Sequence, residues 1–140
     1  MSGGRVRRVV LATIRVAVGV FFTAAGIQKL LDHDDFVVRF DRWGLPSPST
    51  LAYLSAGIEI VAGIVLLLGL ATRFAALVLL LEMLVMLATA GRVDGGTELV
   101  IPGVLAFFCL ILVARGGGGW QLLDVLDPPS GPRPFGPSRP

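Results

Sequence analysis

Cysteine and histidine are nearly missing from this chain, which has only Cys109 and His33. A lone cysteine excludes an intramolecular disulfide and leaves the redox compartment unread. It also excludes paired-cysteine and thiolate-ligated iron–sulfur chemistry, and a lone histidine excludes a haem held by two histidines of one chain. Charge is scarce as well: Asp, Glu, Lys and Arg make up 16% of the residues, against about 25% in soluble domains. The net charge of +2 is small and the arginines are dispersed, which argues against a nucleic-acid partner. No Walker loop, Rossmann glycine pattern, zincin motif or Ser-His-Asp arrangement is present.

Apolar sequence is what the chain has in abundance. Hydrophobic residues form 54% of its 140 positions and the mean hydropathy is +0.81, which places it in the membrane class as one small domain. The stretch 51–70, LAYLSAGIEIVAGIVLLLGL, has the roughly 20 residues needed to cross a hydrocarbon core of about 30 Å. With it, apolar runs predict spans at about 9–31, 50–70, 74–90 and 98–114. The first run is too long for a signal-peptide core, and Gln28 and Lys29 stand where a small-residue cleavage site would be. The expected fold is an all-α membrane protein, a four-transmembrane-helix bundle.

The connections sharpen that picture. In the polar segment 32–49, Phe36, Val37, Phe40 and Trp43 recur at helical spacing. They predict a short amphipathic helix lying in the membrane interface, with Trp43 as its anchor. Gly44 ends it, and Pro46 and Pro48 hold the chain extended until Ser49 or Thr50 caps the second span. The tight turn at 71–73 makes spans two and three antiparallel neighbours. Thr97 and Glu98 open the fourth span, Pro102 lies in its first turns, and the glycines at 116–119 stop it. A basic head at 1–8 thus precedes a membrane domain at 9–115, and a Gly/Pro-rich tail at 116–140 is expected to be disordered. Seven Lys and Arg fall on the side of the termini and four on the other, so the positive-inside rule predicts cytoplasmic termini.

Charges inside the spans are the informative exceptions. On a helical wheel of the second span, Ala52, Ser55, Ala56, Ala62 and Gly63 share the side of Glu59, while Tyr53, Leu54, Ile58, Val61, Ile64, Val65 and Leu68 take the other. Small residues permit close helix approach and branched aliphatics suit lipid, so Glu59 is expected to face inward. On the first span Arg8, Ala12, Arg15, Gly19, Phe22, Gly26 and Lys29 share a face. Glu59 and Glu82 each lie about nine residues into their spans, roughly 13 Å deep. Hydrocarbon around isolated charges is prohibitive, so a buried cluster of Arg15, Glu59 and Glu82 is expected. One arginine cannot neutralise two carboxylates, and the acids should titrate as a coupled unit. The cluster reads either as a structural pin that fixes helix register or as part of a proton or quinol relay.

Other candidates are weaker. Lys29, at the outer end of the Arg15 face, is a candidate contact for an anionic ligand or a side chain that snorkels to the interface, and Glu98 is a second candidate ligand contact. The run from Asp32 through His33 and Asp34 to Asp35 reads as a solvated turn, with no metal site assigned. Cys109, in an apolar run, reads as a packing residue. Gly19, Gly26, Gly57 and Gly63 are candidate helix-packing positions. No catalytic residue can be named.

With these pieces in place the chain resembles the DoxX family of small bacterial four-helix membrane proteins. The likeness rests on FFTAAGIQKL at 21–30, GLP at 44–46, AGIEIVAGIVLLLGLATR at 56–73 and the acidic third span at 74–90, and covers roughly 9–114. The Gly-Ile-Glu of the second span and its Gly-Leu-x-Thr-Arg turn, with Gly69 and Arg73, are its most specific parts. The resemblance implies a multi-pass protein of the bacterial plasma membrane. It further implies either an accessory or anchoring subunit of a membrane redox complex, serving oxidative or thiol stress or sulfur metabolism, or a quinone-linked oxidoreductase subunit of the thiosulfate:quinone type. The mid-membrane acids add a third reading, a small proton-coupled carrier. No cofactor is intrinsic to the chain, and quinone is the candidate acceptor. The expected partners are the lipid bilayer, soluble redox proteins or other membrane subunits, and further copies of the chain. Quinone-coupled disulfide-forming enzymes share the helix count but require cysteine pairs, which Cys109 alone cannot supply.

Overall fold

The computed structural model describes residues 3–118. Helix α1 (Gly3–Leu31) is followed by α2 (His33–Arg42), α3 (Pro48–Leu68), α4 (Thr72–Val93), a 3₁₀ turn (Gly96–Leu99) and α5 (Val100–Arg115). No strand occurs among the described residues. Four segments, Gly3–Leu31, Pro48–Leu68, Thr72–Val93 and Gly96–Arg115, are long and apolar enough to span a membrane. The protein is a four-helix membrane bundle. The expected basic head is the start of α1, whose first turns carry Arg5, Arg7 and Arg8.

Packing runs in a ring from α1 to α3, α4, α5 and back to α1, with the α1–α3 pair the most intimate and α4–α5 next. Size explains the first pairing. A Cβ on Gly26 would lie 2.7 Å from the Ala56 carbonyl, and one on Gly63 2.9 Å from the Gly19 carbonyl, so the two backbones nearly touch. Around that contact Phe22, Leu66, Leu79, Cys109 and Leu112 are fully buried. Val61, Phe74, Phe107 and Leu110 point outward on the lipid-facing surface. The two sides of the α3 wheel are two sides in space: Ala52, Ala56, Glu59, Ala62 and Gly63 are buried, while Tyr53, Leu54, Val61, Ile64 and Leu68 are exposed.

Two connections differ from expectation. Pro48 is itself the first helical residue of α3, a position where its missing N–H costs nothing, so neither Ser49 nor Thr50 is the cap. The α3–α4 turn begins at Gly69, whose φ of 70° returns the Leu70 N–H to the Val65 carbonyl. At the other end of α4, Pro102 is buried in the first turn of α5. Beyond α5 the chain crosses the start of α1. Gly118 has φ +77°, and a Cβ there would meet the Arg8 carbonyl and Leu11, so only glycine fits this crossing. The tail expected to be disordered lies, apart from 116–118, outside the described residues.

The connecting helix α2 forms as its spacing predicts, and its apolar face packs onto the bundle. Phe40 and Trp43 are buried with Ala52 and Ala90. The indole Nε1 of Trp43 donates to Asp94 at the end of α4 over 2.5 Å, and the exposed Arg42 lies 3.4 Å from the same carboxylate. An indole that finds a carboxylate acceptor within the protein has no need of lipid headgroups.

Candidate functional site

Three helices deliver one polar centre near the α2 end of the bundle. From α1 comes Lys29, only two residues before the helix ends. From α3 come Ser55 and Glu59, one turn apart and therefore on one face. From α4 comes Glu82. The Lys29 Nζ donates to Glu59 Oε1 over 2.8 Å and to Ser55 Oγ over 2.6 Å, and stands 3.7 Å from Glu82 Oε1. The Ser55 hydroxyl in turn donates to Glu82 Oε1. The rings of Phe36 and Phe40, both from α2, lie 5.8 and 5.9 Å from the ammonium and cover it.

The cation expected in this centre was Arg15; the structure puts Lys29 there. Helix register is the reason. Gly26 sits level with Ala56 and Ile60, and Gly19 with Gly63 and Leu67. Continuing the same antiparallel register sets Lys29 beside about residue 55 and Arg15 beside about residue 69, roughly 15 Å along the axis from Glu59. Arg15 is nonetheless buried, and its Nη1 donates to the Gly117 carbonyl over 3.2 Å, next to Thr72.

That arrangement also decides what Lys29 can do. It neither snorkels to solvent nor stands open to an anion, because an anion approaching its Nζ would meet two carboxylates. Glu98 is exposed in the 3₁₀ turn and supplies none of the contacts that build the centre. Of the glycines, Gly19, Gly26 and Gly63 lie in the α1–α3 contact, whereas Gly57 faces open space on the outer side of α3. Gly69 makes the α3–α4 turn, and Arg73 lies at the opposite end of the bundle from Lys29, near Gly116. Among the described residues no three His, Cys, Asp or Glu side chains come together as a metal site. His33 instead stacks on Tyr53 at 3.8 Å and meets Ser49 Oγ at 3.1 Å.

A model of the DoxX family matches residues 10–92, more than half of the chain and all three members of the ionic centre. The chain belongs to the DoxX family. It is also 45% identical over 71 residues to Rv3486, an uncharacterized membrane protein of Mycobacterium tuberculosis. That match takes in 50% of this chain and only 44% of the relative's length. No solved structure matches. In this DoxX protein the matched region ends at the close of α4, so the ionic centre falls inside it and α5 outside.

Two partners of the site escaped sequence reasoning. Ser55 carried a usable signal, four residues before Glu59 on the inward face of α3. The Trp43–Asp94 contact carried none, since 51 positions separate the two and Trp43 alone reads as an interfacial anchor.

Proposed function

We propose that this DoxX protein is an accessory or anchoring subunit of a membrane redox complex, contributing a rigid membrane seat and no redox chemistry of its own. The observation that supports it is the centre itself. One ammonium, two carboxylates and a hydroxyl tie α1, α3 and α4 together directly beneath α2. Such a fixture sets helix register and holds α2, whose other face carries the exposed Asp34, Asp35, Arg39 and Asp41. That charged, firmly seated face suits a soluble partner protein. The chain's own thiol, Cys109, is sealed in the bundle and is no candidate for electron transfer.

Affinity purification from native membranes tests this reading. Redox proteins are expected to co-purify, and to be lost when Asp34, Asp35 and Asp41 are changed together to Lys. Recovery of the chain alone from native membranes would count decisively against it.

A quinone-linked subunit is the second reading, favoured by the position of Glu82 on an apolar groove between α3 and α4. It places the quinone in that groove, but the engagement of Lys29 by both acids argues against a sulfur oxyanion at that residue. Purified protein that fails to reduce a soluble quinone with thiosulfate would remove it. Flux of protons into proteoliposomes tests the carrier reading in the same way.

A further inference from the structure

We propose that the α3/α4 groove binds a single-tailed lipophilic monocation, with its charged head at Glu82, in exchange for one proton. The inference goes beyond the accessory-subunit reading and does not rest on it. Two depressions adjoin on the outer face of these helices, of about 330 and 480 Å³. Leu54, Ile58 and Val78 line both, so the two are neighbours along one open groove. On α3 it runs from Leu51 to Val65, roughly 21 Å at helical rise, which suits one extended chain. Its walls are largely apolar; Ser55, Glu82 and Thr89 join Phe40 in lining one depression, and Tyr53 lines the other.

The two acids are not equivalent. Lys29 belongs to Glu59, at 2.8 Å against 3.7 Å for Glu82. The Glu59 side chain is 3% exposed and sealed, whereas that of Glu82 is 13% exposed and borders the groove. Oε2 of each acid is buried with no hydrogen-bond partner among the described residues, but only Glu82 lines the groove. Charge then selects the occupant. Facing Glu82 are Lys29 from α1, Ser55 and Glu59 from α3, and the uncharged Phe40 from α2. One ammonium against two carboxylates leaves a surplus negative charge, which hydrocarbon does not tolerate. Empty, the centre is neutral when the acids keep one proton. Occupied, it is neutral when a monocation pairs with the carboxylate and that proton leaves to bulk water. An anionic head would bring back a negative surplus even with that proton kept, and a neutral head would displace no proton and gain no ion pair. The Phe40 ring adds a favourable face for an onium group.

The full chain in nanodiscs of zwitterionic lipid tests this by calorimetric titration, with empty nanodiscs as the blank. Three probes share one tail: decyltrimethylammonium, decanol and decanesulfonate. Titration in two buffers of different ionisation enthalpy counts the protons released. Decyltrimethylammonium is expected to saturate one site per chain and release about one proton. Glu82→Gln, and Ile58→Trp filling the middle of the groove, are each expected to weaken it by roughly thirtyfold or more. Resistance of Cys109 to alkylation reports that each variant is folded. Should Glu82→Gln expose that thiol, Ile58→Trp decides alone. Equal binding of decanol or decanesulfonate, saturation without proton release, or unchanged affinity in the folded variants would overturn the proposal, as would no saturable binding at all.

Discussion

Lys29 and Arg15 project from the same face of α1, fourteen residues apart, and each is at most 4% exposed. They are held in unlike ways. Lys29 meets side chains from three other helices, two of them acids. Arg15 donates to a main-chain carbonyl of the glycine segment that crosses α1 beyond α5. The first cation is pinned by two carboxylates inside the bundle, and the second lies at its end, where the chain beyond α5 crosses α1. A helix wheel puts both on one face; only the packing of α1 against α3 decides which of them reaches the acids.

The sharpest way to break this contrast is Lys29→Met, which strands two carboxylates. It should cost about 3–5 kcal/mol, the usual penalty for removing one partner of a buried pair. Cys109, fully buried in α5, supplies the measurement, because its alkylation rate in detergent reports bundle opening. Replacing Lys29, Glu59 and Glu82 together by Met, Leu and Met should recover most of the loss, since an apolar set leaves no charge unpaired. A double-mutant cycle then separates the two cations. Lys29 and Glu59 should couple by about 1–3 kcal/mol, whereas Arg15 and Glu59 should add within ~0.5 kcal/mol. Coupling of Arg15 to Glu59 as strong as that of Lys29 would overturn the α1–α3 register.

That register is also where sequence reasoning stopped. The four spans, the inward faces of α1 and α3, the mid-helix positions of Glu59 and Glu82 and the existence of α2 were all legible, because each follows from periodicity or length within one segment. The choice between Arg15 and Lys29 was not, because rotation about a helix can be read from a wheel while sliding along its axis cannot. What sets the slide is the fit of Gly26 against Ala56 and Ile60, and of Gly63 against Gly19 and Thr23. In sequence these are glycines among many. The inward turn of Trp43 was hidden for a related reason: its acceptor, Asp94, belongs to a different helix end.

Gly26→Ala attacks the register directly. Its Cβ would fall 2.6 Å from Ile60 Cγ1 and 2.7 Å from the Ala56 carbonyl, and the second neighbour is backbone that cannot swing aside. Overpacking of this kind typically costs about 1–3 kcal/mol. Because the clash lies one turn from Lys29, Cys109 alkylation should quicken and the Lys29–Glu59 coupling should shrink in the same variant. Trp43→Phe is gentler. It removes one donor to Asp94 and leaves the rest of α2 in place, for a loss of about 1–2 kcal/mol. Its effect should be confined to the Lys29 end, measured as faster hydrogen exchange in α2 with exchange around Arg15 unchanged.

The smallest effect is the most discriminating control. Gly57 follows Ala56, the residue that Gly26 meets, and stands only two residues from Glu59, yet nothing lies within 4 Å of the Cβ it lacks. If proximity to the ionic centre were what made a glycine important, Gly57→Ala would rival Gly26→Ala. If backbone approach is what matters, the new methyl enters open space on the outward side of α3. Alanine is then the better helix former, and stability should stay within ~0.5 kcal/mol or rise by up to about 1 kcal/mol. Side-by-side melting of the two variants in one detergent settles which rule governs the helix. A loss at Gly57 equal to that at Gly26 would mean that the outer face of α3 is itself in contact with another helix in the membrane.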